Sequence, residues 1–90
     1  MPRPSANFTP IRADTRRYAA MFAETLRVNA VAPGPVLPPE GVHEPAGETL
    51  LARRPAPEDV ASAVLYLLEA ESVTGAVIPV DAGQHLVEGV

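Results

Sequence analysis

The order helix, strand, long loop, helix, strand predicts an α/β chain built on a parallel strand pair. Three observations carry that expectation. Two short runs rich in Val, Ile and Ala, at 27–32 and 76–80, are stopped by Pro33-Gly34 and by Asp81-Ala82-Gly83. Such runs, short and without clean polar alternation, fit strands of the parallel kind. Between them lies an apolar stripe of helical period, and a strand–helix–strand crossover makes a parallel pair with a right-handed connection.

Taken in chain order, residues 1–12 hold three prolines and little periodicity, and read as an irregular arm. Asp14 can cap a helix over about 14–25, whose apolar positions Tyr18, Met21, Phe22 and Leu26 recur at helical spacing. The first strand follows at 27–32. Residues 33–56 form a long Pro/Gly-rich loop, with prolines at 33, 35, 38, 39 and 45 within residues 33–47; loops of this length in compact chains tend to carry function. Pro57 suits the first position of a helix over 57–70, and Glu58 and Asp59 suit the positive end of its dipole. Val60, Val64, Leu67 and Leu68 give that helix its apolar stripe. Thr74-Gly75 turns the chain into the second strand, where Pro79 favours an edge because it cannot donate to a ladder.

The chain of 90 residues is expected to form one unit, 1–90, with a limited core. Only 4% of it is aromatic, so Val, Leu and Ala must fill whatever interior forms. The net charge of −4 opposes a nucleic-acid partner, and the seven basic residues are all arginines with no clustered face. With no cysteine there is neither a disulfide nor a thiolate ligand or nucleophile. No run approaches the ~20 apolar residues of a membrane span, and no apolar leader precedes the arm, so a cytoplasmic chain without membrane contact is expected.

Three motifs in order carry a resemblance. Arg27-Val28-Asn29-Ala30-Val31-Ala32-Pro33-Gly34 resembles the sixth strand of the short-chain dehydrogenase/reductase fold and its Pro-Gly loop. Pro57-Glu58-Asp59-Val60-Ala61 resembles that family's penultimate helix. Thr74 to Gly83 resembles its last strand, with Ala82 where the family usually has glycine. The resemblance spans about 70 of the 90 residues and implies a partial Rossmann-like fold, the C-terminal part of an NAD- or NADP-dependent oxidoreductase. The Pro-rich stretch Pro35 to Gly41 is most similar to the pteridine reductase branch, which implies reduction of a dihydropteridine or a related small molecule.

By the same resemblance, Pro33, Gly34, Pro35 and Val36 are the cofactor-binding residues, lying against the nicotinamide with a backbone group near Val36 at its carboxamide. Ligands of open parallel sheets bind beyond the carboxyl ends of the strands, and a glycine there lets backbone approach a flat ring. The family's glycine fingerprint is absent, so nothing in the chain is expected to hold a pyrophosphate. Its Tyr-x-x-x-Lys dyad is broken as well: the gapless alignment puts Pro4 and Phe8 at those positions, and the chain has no lysine. No catalytic residue is therefore expected, and cofactor binding by the chain alone is not expected either. Tyr18 and Tyr66 read as helix-face packing residues, and the cluster Glu40, His43 and Glu44 as exposed loop rather than a metal site. The alternative to a catalytically incomplete reductase segment is a non-catalytic interaction module, forming a homo-oligomer or joining a full-length relative.

Overall fold

The computed structural model describes residues 9–36 and 49–87. Its elements are helix α1 (Thr9–Met21), strand β1 (Ala30–Pro33), helix α2 (Pro57–Glu69), strand β2 (Val77–Val80) and a short helix α3 (Gln84–Val87). The two strands are parallel, with Ala30 opposite Val77 and Pro33 opposite Val80. The predicted order and pairing stand, and α3 is an addition that four residues of sequence did not announce.

The first helix departs from expectation. It begins at Thr9 rather than Asp14, taking the end of the expected arm into the helix. Pro10 fits there because the first turn's N–H groups have no intrahelical acceptor. Asp14 is no cap; it faces solvent and pairs with Arg17 at 3.4 Å. The buried line of α1 is Thr15 and Ala19, with Ile11 partly covered. Tyr18, Met21, Phe22 and Leu26 are 41–62% exposed. Small side chains let this helix come close to the turn before β2, where a Cβ on Gly75 would lie 3.6 Å from Ala19 Cβ. Thr15 tolerates burial because its hydroxyl donates to the Ile11 carbonyl at 2.6 Å.

The second helix is capped reciprocally. The Ala56 N–H donates to the Asp59 carboxylate at 2.7 Å, and the Asp59 N–H donates to the Ala56 carbonyl at 2.9 Å. Leu67 is its buried residue, whereas Val64 and Leu68 of the expected stripe are 42% and 68% exposed.

The strands are shorter than the apolar runs, because residues 27–29 do other work. The Arg27 guanidinium donates to the carbonyls of Leu67, Leu68, Ala70 and Val73 at 2.7–3.3 Å, closing the C-terminal end of α2. Those of Leu67 and Leu68 belong to the last turn, whose carbonyls a helix cannot satisfy internally, at the negative end of its dipole; those of Ala70 and Val73 follow it. Asn29 holds the next turn from both sides. Its amide donates to the Val73 carbonyl, and its oxygen accepts the Ala76 N–H, each at 2.9 Å.

Both strand prolines sit on outer edges. Ala30 and Gly34 donate toward β2, to Ala76 and Val80. Backbone groups alternate along a strand, so those of Val31 and Pro33 face away from β2. The register puts Pro79 in the matching place on the opposite edge, as its missing donor led one to expect. The strands are mostly half-buried, with Ala32 buried and Pro33 exposed, because a pair of strands has more face than its helices cover. Among the described residues no helix is long and apolar enough to cross a membrane.

Replacing Arg27 by Met is expected to lower stability by about 1–2 kcal/mol in urea denaturation, discounted for the exposure of the guanidinium. Arg27→Lys should recover less than half of that, because an ammonium lacks the planar fork that reaches several carbonyls at once.

Candidate functional site

The candidate site lies beyond the carboxyl ends of the two strands, where the chain leaves β1 through Pro33, Gly34, Pro35 and Val36. All four predicted residues meet there. Together with Pro57 and Val60 from the start of α2 they line an open groove of about 580 Å³. Every lining side chain is apolar or absent, so the groove can receive the face of a flat, weakly polar ring and has nothing to hold an anion.

The loop is fixed from three directions. The Gly34 N–H donates to Val80 at 3.0 Å, continuing the ladder one residue past β1. The Val36 N–H donates to the Gly34 carbonyl at 2.8 Å, a tight turn around Pro35. The Arg54 guanidinium donates to the Pro35 carbonyl at 3.2 Å. A ligand carboxamide at Val36 would thus share an N–H that already has an acceptor.

Gly34 has an internal reason as well as the predicted one. A Cβ on it would fall 2.5 Å from Asp81 Cβ and 2.8 Å from Asp81 Cα. The close approach this glycine permits is made by the end of β2, so the residue sets the spacing of the strand ends.

Asp81 is 2% exposed and fully engaged. Its carboxylate accepts the N–H groups of Gly83 and His85 at 3.1 and 3.0 Å, and His85 Nδ1 lies 2.9 Å from Oδ2. Sequence reading passed over His85; the available signal was an acid at a strand end with a histidine four residues on, the spacing of one helical turn. Ala82 adopts φ 54 and Gly83 φ 85. The left-handed conformation at Ala82 explains why glycine suits this position better. The Ala82 carbonyl accepts the N–H groups of both Leu50 and Leu51 at 2.9 Å, drawing residues 49–55 across the end of β2. A second groove of about 370 Å³ results, lined by Arg53, Arg54, Asp59, Asp81 and His85 among others.

Other expectations fall out differently. Tyr18 and Tyr66 are 41% and 56% exposed, so neither packs inward; Arg17 lies 5.0 Å over the Tyr18 ring. The two tyrosines turn outward because the faces of α1 and α2 that bear them have no neighbour among the described residues. Neither tyrosine lines the groove. Pro4 and Phe8, and the cluster Glu40, His43 and Glu44, lie outside the described residues. Among the described residues no group of three His, Cys, Asp or Glu could hold a metal ion.

Residues 10–85 match the family described as enoyl-(acyl carrier protein) reductase. The chain is 44% identical over 84 residues to a protein of Streptomyces violaceoruber named as ketoacyl reductase 2 of the granaticin polyketide synthase, covering 83% of this chain and 34% of that one. It is 37% identical to the short-chain dehydrogenase/reductase homologue YusR of Bacillus subtilis, covering 80% of this chain and 60% of YusR. Among solved structures it is similar to the FolM alternative dihydrofolate reductase 1 of Brucella canis complexed with NADP. The TM-score is 0.75 at 41% identity, over 87% of this chain and 32% of that one. The chain thus spans about a third of the length of the first of these relatives.

Two substitutions probe the strand ends. Gly34→Ala is expected to destabilise by about 2–3 kcal/mol, because its methyl group collides with backbone as well as side chain of Asp81. Ala82→Gly is expected to stabilise by about 0.5 kcal/mol, the relief of a left-handed alanine offset by glycine's chain entropy. Chemical denaturation of both variants checks the pair of opposite signs.

Proposed function

Because the chain belongs to the short-chain dehydrogenase/reductase family, we propose that it supplies the nicotinamide-facing wall of an NADP-dependent reductase and reduces nothing by itself. The observation that carries this reading is the groove at the end of β1. Pro33, Gly34, Pro35, Val36, Pro57 and Val60 give it an apolar wall fit for one face of a nicotinamide. Gly34 and Asp81 hold the strand ends at the distance that keeps the wall in place.

The same residues fit only half of the cofactor. No arginine or histidine lines this groove. The sequence has no glycine fingerprint, so the phosphates would have to be held by protein outside this chain. Bound NADPH would supply a hydride. The residues of this chain orient the ring that carries it and keep water from one of its faces. The proton that reduction also requires has no donor here, since the chain contains no lysine to lower the pKa of a tyrosine.

The substrate class we assign is a dihydropteridine. Its support is the Pro-rich stretch after β1 and the likeness to a dihydrofolate reductase complexed with NADP. A polyketide ketoacyl reductase is similar at comparable identity, and the Pro-rich stretch is what favours the dihydropteridine.

The chain alone, mixed with NADPH and dihydrofolate, is expected to give no oxidation of NADPH above background. A chimera in which it replaces the matching segment of the Brucella canis enzyme is expected to bind NADP and reduce dihydrofolate. Gly34→Ala in that chimera should cut kcat/KM at least tenfold. Turnover by the chain alone, or a folded chimera that no longer binds NADP, would overturn the reading.

A further inference from the structure

Residues 49–55 reach from the end of β2 to the loop after β1, and they are tied down on the way. The Ala82 carbonyl accepts the N–H groups of Leu50 and Leu51 at 2.9 Å, and Thr49 Oγ1 donates to the Leu51 carbonyl at 2.8 Å. Leu50 packs so closely on Gly83 that a Cβ there would fall 2.8 Å from Leu50 Cβ. Downstream, Pro55 is buried and Ala56 opens the capped start of α2. Arg54 therefore stands, half-buried, on a fixed backbone, and has less rotamer freedom to lose than an arginine on a free loop.

From that position its guanidinium donates to the Pro35 carbonyl at 3.2 Å. The loop 33–36 has few other ways to be held. Pro33 and Pro35 have no N–H. Gly34 uses its N–H on Val80, and Val36 uses its own on Gly34, inside the loop. Beyond Gly34, Arg54 is thus the side chain that ties this loop to the rest of the unit among the described residues. It lines the groove beside Asp81 and not the apolar groove at the end of β1, so it grips the wall from behind.

We propose that Arg54 is a positioning residue for hydride transfer. By holding the Pro35 carbonyl it fixes the wall formed by Pro33, Gly34, Pro35 and Val36, and with it the depth and tilt of the nicotinamide, without contacting the cofactor. This role rests on the reading of the chain as one wall of a reductase. A Pro35 carbonyl that lost its donor would turn toward the ring or take up water, and either change moves the wall. Hydride transfer is sensitive to such movement, since a misplacement of about 1 Å can cost about a hundredfold in rate. Cofactor affinity is far less sensitive, because on that reading the phosphates are held outside this chain. An arginine that bound the phosphates itself would instead take affinity and rate down together. Lysine is a poor replacement, because a compact ammonium on a flexible stem lacks the planar fork that keeps the carbonyl in one place.

Two measurements test the role. In the full 90-residue chain, Arg54→Met should speed amide hydrogen exchange at Val36 about fivefold, read by NMR. In the chimera with the Brucella canis enzyme, Arg54→Met should lower kcat at saturating NADPH about tenfold, with the NADP dissociation constant within about twofold of the parent. The deuterium isotope effect on kcat, with NADPH deuterated at the transferred position, should rise as the transfer step slows. Arg54→Lys should show the same split at smaller size, and it serves in place of Arg54→Met if the latter does not fold. Arg53→Met removes an exposed arginine of the same groove and should match the parent in every readout. A variant that is merely less stable keeps full kcat at a temperature where it is folded. Unchanged Val36 exchange, an unchanged kcat, NADP affinity that falls in step with kcat, or an equal loss in Arg53→Met overturns the role. A parent chimera that folds but does not bind NADP is the failure of the underlying reading, and removes the role with it.

Discussion

Arg27 and Asn29 hold the arrangement on which the rest of the structure depends. The guanidinium gathers carbonyls from the end of α2 and from the turn after it, and the amide two residues on grips that same turn. The two side chains therefore tie the entrance of β1 to the entrance of β2. With those entrances fixed, the register follows from Ala30 opposite Val77 to Pro33 opposite Val80. The register in turn brings Gly34 against Asp81, and that contact sets the groove. A polar stitch at one end of the strands thus positions an apolar wall at the other.

Such a stitch matters because so little else holds the unit together. Among the described residues the buried apolar ones are Ala19, Ala32, Pro55 and Leu67, and large side chains on both α1 and α2 face outward. Burial of apolar surface is the dominant favourable term in folding, and here much of that surface is left uncovered. Directed hydrogen bonds to helix-end carbonyls, a reciprocal cap at Ala56 and Asp59, and a fully engaged buried Asp81 carry an unusual share of the specification. They define the geometry without supplying a large core.

The distribution of charge divides the chemistry as sharply. The groove at the end of β1 is apolar, while Arg53, Arg54 and His85 line a separate groove beside Asp81. Arg54 links the two by its bond to the Pro35 carbonyl. On the function proposed above, such a wall would orient a ring, with phosphates and proton supplied elsewhere, and the family resemblance and the apolar lining lead to the same reading.

The sequence by itself determined the α/β class, the parallel pair, the α2 helix with its proline start, the outer-edge place of Pro79 and the four residues of the loop. Those features depend on local signals: β-branched runs, turn residues, a dipole-matched first turn. It also fixes which residues are absent, since these 90 residues contain no lysine and no glycine fingerprint. Only the tertiary structure decided which face of each helix is inside. On α1 the small residues Thr15 and Ala19 won over Tyr18, Met21 and Phe22, because close approach to the turn at Gly75 needs small side chains and the large ones have no covering layer in this chain. On α2 the same lack of a neighbour leaves Val64 and Leu68 exposed. Tertiary contact also decided that residues 27–29 stitch rather than pair, that His85 belongs to Asp81, and that Gly34 answers to Asp81 across the strands. Apart from the one-turn step from Asp81 to His85, these contacts join residues forty or more positions apart, and periodicity along a chain carries no information about what will lie across from it.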